Sequence, residues 1–104
     1  MSALQPFNPR YGAGQSLTGA NTSASVVIGA GNRQLRLHNT DGTNPIYVRV
    51  GNSANGTTTA TTADLYIGPG SKDIITKSGD DDTLAYIAPA GSPVLKVIPG
   101  EGWV

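Results

Sequence analysis

Residues 33–50, RQLRLHNTDGTNPIYVRV, carry two runs in which apolar and polar side chains alternate. From Arg33 to Asn39, Leu35 and Leu37 fall on one face and Gln34, Arg36 and His38 on the other, the period of a half-buried strand. Residues 40–44 follow as a polar turn whose Asp41-Gly42 pair is a strong hairpin signal. Pro45 opens the second run at the position where a missing N–H costs least. There Ile46, Val48 and Val50 share one face, and Tyr47 and Arg49 the other. The expectation is a β-hairpin formed by these two strands.

The same texture extends in both directions. Short apolar or alternating runs at residues 24–28, 64–67, 72–76, 83–88 and 94–98 are separated by Gly, Pro, Asn and Asp clusters at intervals typical of a sandwich or barrel. No window has helical periodicity, and the chain holds one Glu, three Lys and one Met. The expected fold is all-β, a small antiparallel β-sandwich of about eight strands, jelly-roll or Ig-like, because each half-polar sheet must cover its apolar face with the other. Its expected core is Leu17, Val27, Leu35, Leu37, Ile46, Val48, Val50, Leu65, Ile67, Ile75, Leu84, Tyr86, Leu95 and Val97. Residues 51–62, GNSANGTTTATT, read as a long polar loop without an apolar anchor, either mobile or ordered by a neighbour.

Residues 1–15 stand apart as an extended N-terminal arm, with the sandwich domain spanning 16–104. Pro6 and Pro9 fix their own φ and hold Gln5 and Asn8 in extended conformations. Phe7 and Tyr11, two of six aromatics, ride on this arm and can be buried only against the domain's own body or a neighbour's surface. Trp103, the only tryptophan, sits beside the last residue, where an exposed indole is unfavourable. Pro6, Phe7, Pro9, Tyr11 and Trp103 are therefore the candidate interface residues.

Composition narrows the chemistry. A chain of 104 residues supports one modest core and no second lobe to enclose a cleft. Seven basic and seven acidic residues balance, so no nucleic-acid footprint or affinity for a charged lipid surface is expected. Charged residues make up 13%, about half the usual share. A surface of hydroxyls and amides does little to oppose the approach of like copies. Without cysteine there are no disulfides and no thiolate zinc site. No apolar run approaches membrane-spanning length, and no secretory leader is evident, so synthesis in the cytoplasm is expected. The sequons at Asn21 and Asn55 read as products of Asn/Thr richness.

No constellation for catalysis emerges. His38 is the only histidine and has no nucleophile or acid at triad spacing. Gly29-Ala30-Gly31 begins like a dinucleotide loop but lacks the third glycine and the helix behind it. The acids of residues 79–83 crowd one turn without the regular spacing of a calcium loop, and Asp80 and Asp82 are the better placed should a cation bind. Glu101 and Asp64 can be named as a carboxylate pair, but nothing places them across a cleft. The reading is a non-enzyme with no cofactor and no metal.

The stretch NPIYVRVGNSANGTTTATTADLYIGPGSKDIIT at 44–76, followed by TLAYIAPAGSPVLKVIPGEGWV at 83–104, resembles the small β-sandwich capsid decoration (cement) proteins and related head or tail structural proteins of tailed bacteriophages. That resemblance implies a virion protein on the capsid surface. It would bind the major capsid protein as a homo-trimer or dimer and stabilise the shell. A carbohydrate-binding or fibre-tip module, presenting Tyr47 and Tyr66, and a neck or head-tail connector subunit are the alternatives.

Overall fold

A computed structural model describes residues 8–29, 31, 33–55, 58–78 and 80–101. The elements are β1 (Asn8–Pro9), β2 (Gln15–Thr18), β3 (Ala24–Val27), β4 (Gln34–Asn39), β5 (Ile46–Gly51), a single 3-10 turn (Ser53–Asn55), β6 (Leu65–Ile67), β7 (Lys72–Thr76), β8 (Thr83–Ile87) and β9 (Val94–Glu101). The protein is all-β, and its strands form two antiparallel sheets. In one the order is β1-β9-β4-β7, with β2 also lying along β9; in the other it is β3-β8-β5-β6.

This order has a simple logic. The chain runs out through β2, β3, β4 and β5, turns, and returns through β6, β7, β8 and β9, and each outgoing strand pairs with its returning counterpart. Two further pairings, β4 with β9 and β5 with β8, join these ribbons into sheets. A long ribbon wound in this way is a jelly roll.

The core lies between the sheets. Leu35 and Leu37 of β4, Leu95 and Val97 of β9, Ile46 and Val48 of β5, Ile67 of β6 and Leu84 of β8 are all essentially inaccessible to solvent. Each such side chain contributes about 1.5–3 kcal/mol on burial. Val50, Ile75 and Tyr86 are partly buried against this core, and two expected core residues are exposed. Register places Val26 opposite Leu84, so Val27 faces outward, 67% exposed, and Ile28 fills the core just beyond the strand. Leu65 has the inward phase opposite Val48, but β6 is an edge strand and leaves it 45% exposed.

The expected hairpin of residues 33–50 does not form: β4 and β5 belong to opposite sheets. The intervening residues make an arch, and side chains decide its shape. Asn39, fully buried, donates through Nδ2 to the carbonyls of Asn44 (2.9 Å) and Ile67 (3.2 Å) and accepts from the Asp41 N–H (3.0 Å). Asp41 Oδ1 in turn accepts from Thr43 N (2.7 Å) and Asn44 N (3.0 Å). These bonds occupy the groups that a two-residue hairpin turn would leave to the ladder. The acidic turn after β7 is likewise a passage between sheets.

The described residues of the 52–64 segment are also not a free loop. Asp82 accepts from Ser53 N (2.9 Å) and Ser53 Oγ (2.7 Å), and Ala60 N donates to Ser23 Oγ (2.9 Å), just before β3 on the far edge of the sheet. Ala60 is 2% exposed, and Ala85, outward on β8 by alternation, is fully buried. The loop therefore lies across the outer face of this sheet, with Ala60 as its anchor.

Candidate interaction surfaces

The N-terminal strands give the first surface. Asn8 and Pro9 lie opposite Glu101 and Gly100, and Arg10 N donates to Pro99 O at 2.9 Å. Five residues after Arg10, β2 takes up the same strand, with Gln15 opposite Val97 and Leu17 opposite Leu95. Between them the chain makes a turn closed by Ala13 N donating to Arg10 O at 3.2 Å. Gly12 has φ +85° there, the third-position geometry of a type II turn. Tyr11 occupies the corner before it and is 85% exposed, the most exposed of the large apolar side chains described. Its backbone is held on both sides by one central strand, so the ring is presented on a rigid mount. Pro9 is half-buried within β1. Pro6, Phe7 and Trp103 lie outside the described residues.

The second surface is a tyrosine pair. Tyr47 and Tyr66 are opposite each other on β5 and β6, facing outward, with ring centroids 5.4 Å apart and planes at 64°. Such an edge-to-face pair is stabilising, but it is not a flat platform. Tyr66 is 54% exposed and Tyr47 half-buried, so one ring dominates what a ligand meets. Beside them Arg49 Nη2 lies 2.8 Å from Asp64 Oδ1.

The outer face of the β2-β9-β4-β7 sheet is the third. Alternation turns Arg36 and His38 of β4, Lys72 and Ile74 of β7, and Lys96 and Ile98 of β9 to this side. A shallow groove of about 310 Å3 runs over it, lined by Gly14, Gln15, Ser16, Arg36, Lys96, Val97 and Ile98. Lys96 Nζ donates to Ser16 Oγ at 2.5 Å. His38 is half-buried here, flanked in register by Lys72 and Lys96.

The acids serve the arches and loops. Hydrogen bonds from the Ser53 hydroxyl and N–H and from the Thr83 hydroxyl hold the Asp82 carboxyl below the usual carboxylate range. The N–H groups of Asn44 and Thr43 do the same for Asp41. At Asp64 burial acts upward, but bonds from Thr61 and Arg49 outweigh it and the carboxyl is also lowered. Asp82 is thus committed to Ser53 and Thr83. Among the described residues no group of three His, Asp or Glu side chains converges as metal ligands would. Sequence reading missed Asn39 as a structural polar residue and the cation-bearing sheet face; the spacing of Arg36, His38, Lys72 and Lys96 shows that face only once strand order is known.

No protein-family model matches the chain, and no curated protein matches it in sequence. Solved structures similar in fold include the following two. One belongs to the Bacillus endospore appendages, a family of disulfide-linked pili, with 15% identity, a TM-score of 0.50 and coverage of 96% of this chain and 92% of that one. The other is the SPBc2 prophage-derived protein YomS, with 15% identity, a TM-score of 0.50 and coverage of 84% of this chain and 92% of that one. At this identity the likeness is one of fold.

Proposed function

We propose that this protein is a non-enzymatic virion structural protein, a decoration or cement protein that binds the major capsid protein on the outer capsid surface and stabilises the shell. The observation that carries the reading is Tyr11, an almost fully exposed aromatic on a turn braced at both ends by β9. A large amphipathic ring on a rigid mount loses little conformational entropy on docking, which is what makes tyrosine an effective interface anchor. Phe7 and Trp103 are its proposed companions, with Pro6 and Pro9 stiffening the approach. A homo-trimer or dimer multiplies modest contacts into avidity on a symmetric shell. The sequence resemblance to phage decoration proteins and the fold shared with a prophage-derived protein support the same direction.

The test is co-sedimentation of the purified protein with capsid shells lacking it, together with the heat stability of the shells. Saturable binding that raises the shell's melting temperature, and that Tyr11→Ala weakens, is expected. Absence of binding, with no change in shell stability, overturns the reading. Light scattering on the free protein gives the oligomer, and the copy number per virion separates decoration from a neck or connector role.

One observation favours a second reading, a carbohydrate-binding or fibre-tip module: the Tyr47–Tyr66 pair beside Arg49 and Asp64. An affinity shift in soluble polysaccharide gels, abolished by Tyr66→Ala, would support it over capsid binding.

A further inference from the structure

The net charge of zero hides a segregation that appears only in the folded sheet. Lys72, His38 and Lys96 stand side by side on β7, β4 and β9, and Ser16 of β2 completes the row. The next row places Arg36 between Ile74 and Ile98. Among the described residues no Asp shares this face: Asp73 alternates to the opposite side, opposite Leu37, and the other described Asp residues lie in arches and loops. Neighbouring strands are about 4.8 Å apart, so the two lysines stand on strands about 10 Å apart with an imidazole between them. Like charges gathered on one sheet face oppose folding slightly, so the cluster is not there to hold the sandwich together.

We infer that the outer face of the β2-β9-β4-β7 sheet is a docking surface for an acidic protein surface, with Arg36, Lys72 and Lys96 meeting carboxylates and Ile74 and Ile98 packing between them. The charge defines the sign of the partner. The spread over three strands suits an array of carboxylates better than a single small anion. The composition of the face defines the class: aliphatic side chains interleave with the cations and, among the described residues, no Phe, Tyr or Trp stands with them, which fits a mixed apolar and charged protein contact. Stacking of bases or sugar rings finds no Phe, Tyr or Trp platform there among the described residues. Arg36 supplies a planar fork for bidentate pairing, and the groove beside it gives a carboxylate-bearing side chain room to enter. This inference goes beyond the capsid reading and does not depend on it.

The experiment uses the full chain and a fluorescently labelled poly-L-glutamate peptide, with a neutral Gly-Ser peptide of equal length and an inorganic polyphosphate as comparisons, read by anisotropy. Binding of poly-glutamate is expected, weakening steeply as salt rises from about 50 to about 300 mM. Arg36→Glu combined with Lys96→Glu should lower the affinity at least about tenfold. Arg49→Gln, on the other sheet, should leave it unchanged. Circular dichroism and thermal melts establish that the variants fold, and Lys96→Gln with Arg36→Gln replaces the reversal if it does not. No binding at low salt, equal binding of the neutral peptide, insensitivity to both replacements, or tighter binding of polyphosphate each overturns the inference, the last by reassigning the face to phosphate.

Discussion

The side-chain amide of Asn39, at the end of β4, donates to the main-chain carbonyl of Ile67 in the opposite sheet at 3.2 Å. The same nitrogen donates to Asn44 O, and Oδ1 accepts from Asp41 N. One buried side chain therefore ties together two sheets and the arch between them. Asn39→Leu keeps the volume but leaves two carbonyls and an N–H without their partner. Each such group costs about 1–3 kcal/mol, and a loss of about 3 kcal/mol in urea unfolding is expected. A loss below about 1 kcal/mol would show that the arch holds itself.

Gly19 should not tolerate a methyl group. A Cβ at this position would stand 2.8 Å from Ala88 Cβ and 3.0 Å from Ile46 Cδ1. Gly19→Ala is expected to destabilise by about 1–3 kcal/mol through overpacking. Adding Ala88→Gly should recover part of that loss, and a double-mutant cycle measures the coupling. Additive effects would place the strain elsewhere.

Asp82 predicts an acid-sensitive link. Its carboxyl is held low by Ser53 and Thr83, so it contributes stability that is fully present above the unfolded-state value near pH 4. That contribution is lost as the pH falls through the lower folded-state value. Asp82→Asn should therefore destabilise at neutral pH and narrow the gap to the parent protein as both are acidified. Chemical unfolding at a series of pH values checks this; a gap that stays constant down to pH of about 2 would contradict it.

The turn at Arg10–Ala13 separates presentation from stability. Tyr11→Ala should change the unfolding free energy by less than about 0.5 kcal/mol, since its ring is exposed. Gly12→Ala should cost about 1–2 kcal/mol, because its φ of +85° is unfavourable for a residue with a Cβ. Thermal melts of the two variants distinguish them, and a large loss from Tyr11→Ala would mean that the ring packs against the body.

Strands were legible where alternation is local. The boundaries of β7 at Lys72–Thr76 follow directly from its flanking turns, and the inward set of β4 and β5 follows from period two. What local pattern did not convey was partnership. Asp41-Gly42 is a hairpin signal only if its side chains stay out of the backbone bonding; here Asn39 and Asp41 take those groups and send the chain to the other sheet. Val27 was misplaced for a related reason: within ASVVIG either valine can face inward, and only the pairing of Val26 with Leu84 decides. Ala60 is too small to read as an anchor, yet it is buried where its loop crosses the outer face of the sheet. The cation-bearing face needed strand order as well, since Arg36, Lys72 and Lys96 are dispersed along the sequence. Tyr11 was named from its residue type and position, while its mount, two strands along β9, was not foreseeable.

Strand β9 lies in the interior of its sheet, between β1 and β2 on one side and β4 on the other, although it is the last strand along the sequence. Until it is in place, β2 and β4 have no common neighbour, and Leu35 and Leu37 have a strand beside them on the β7 side alone. Closing β2 against β9 joins Leu17 to Leu95 across most of the chain, a non-local contact whose entropic cost is met before it is rewarded. Folding should accordingly begin at the β5–β6 end and finish at β9, slowly and in one cooperative step. During synthesis the earlier strands would then stay without their full pairing until β9 becomes available.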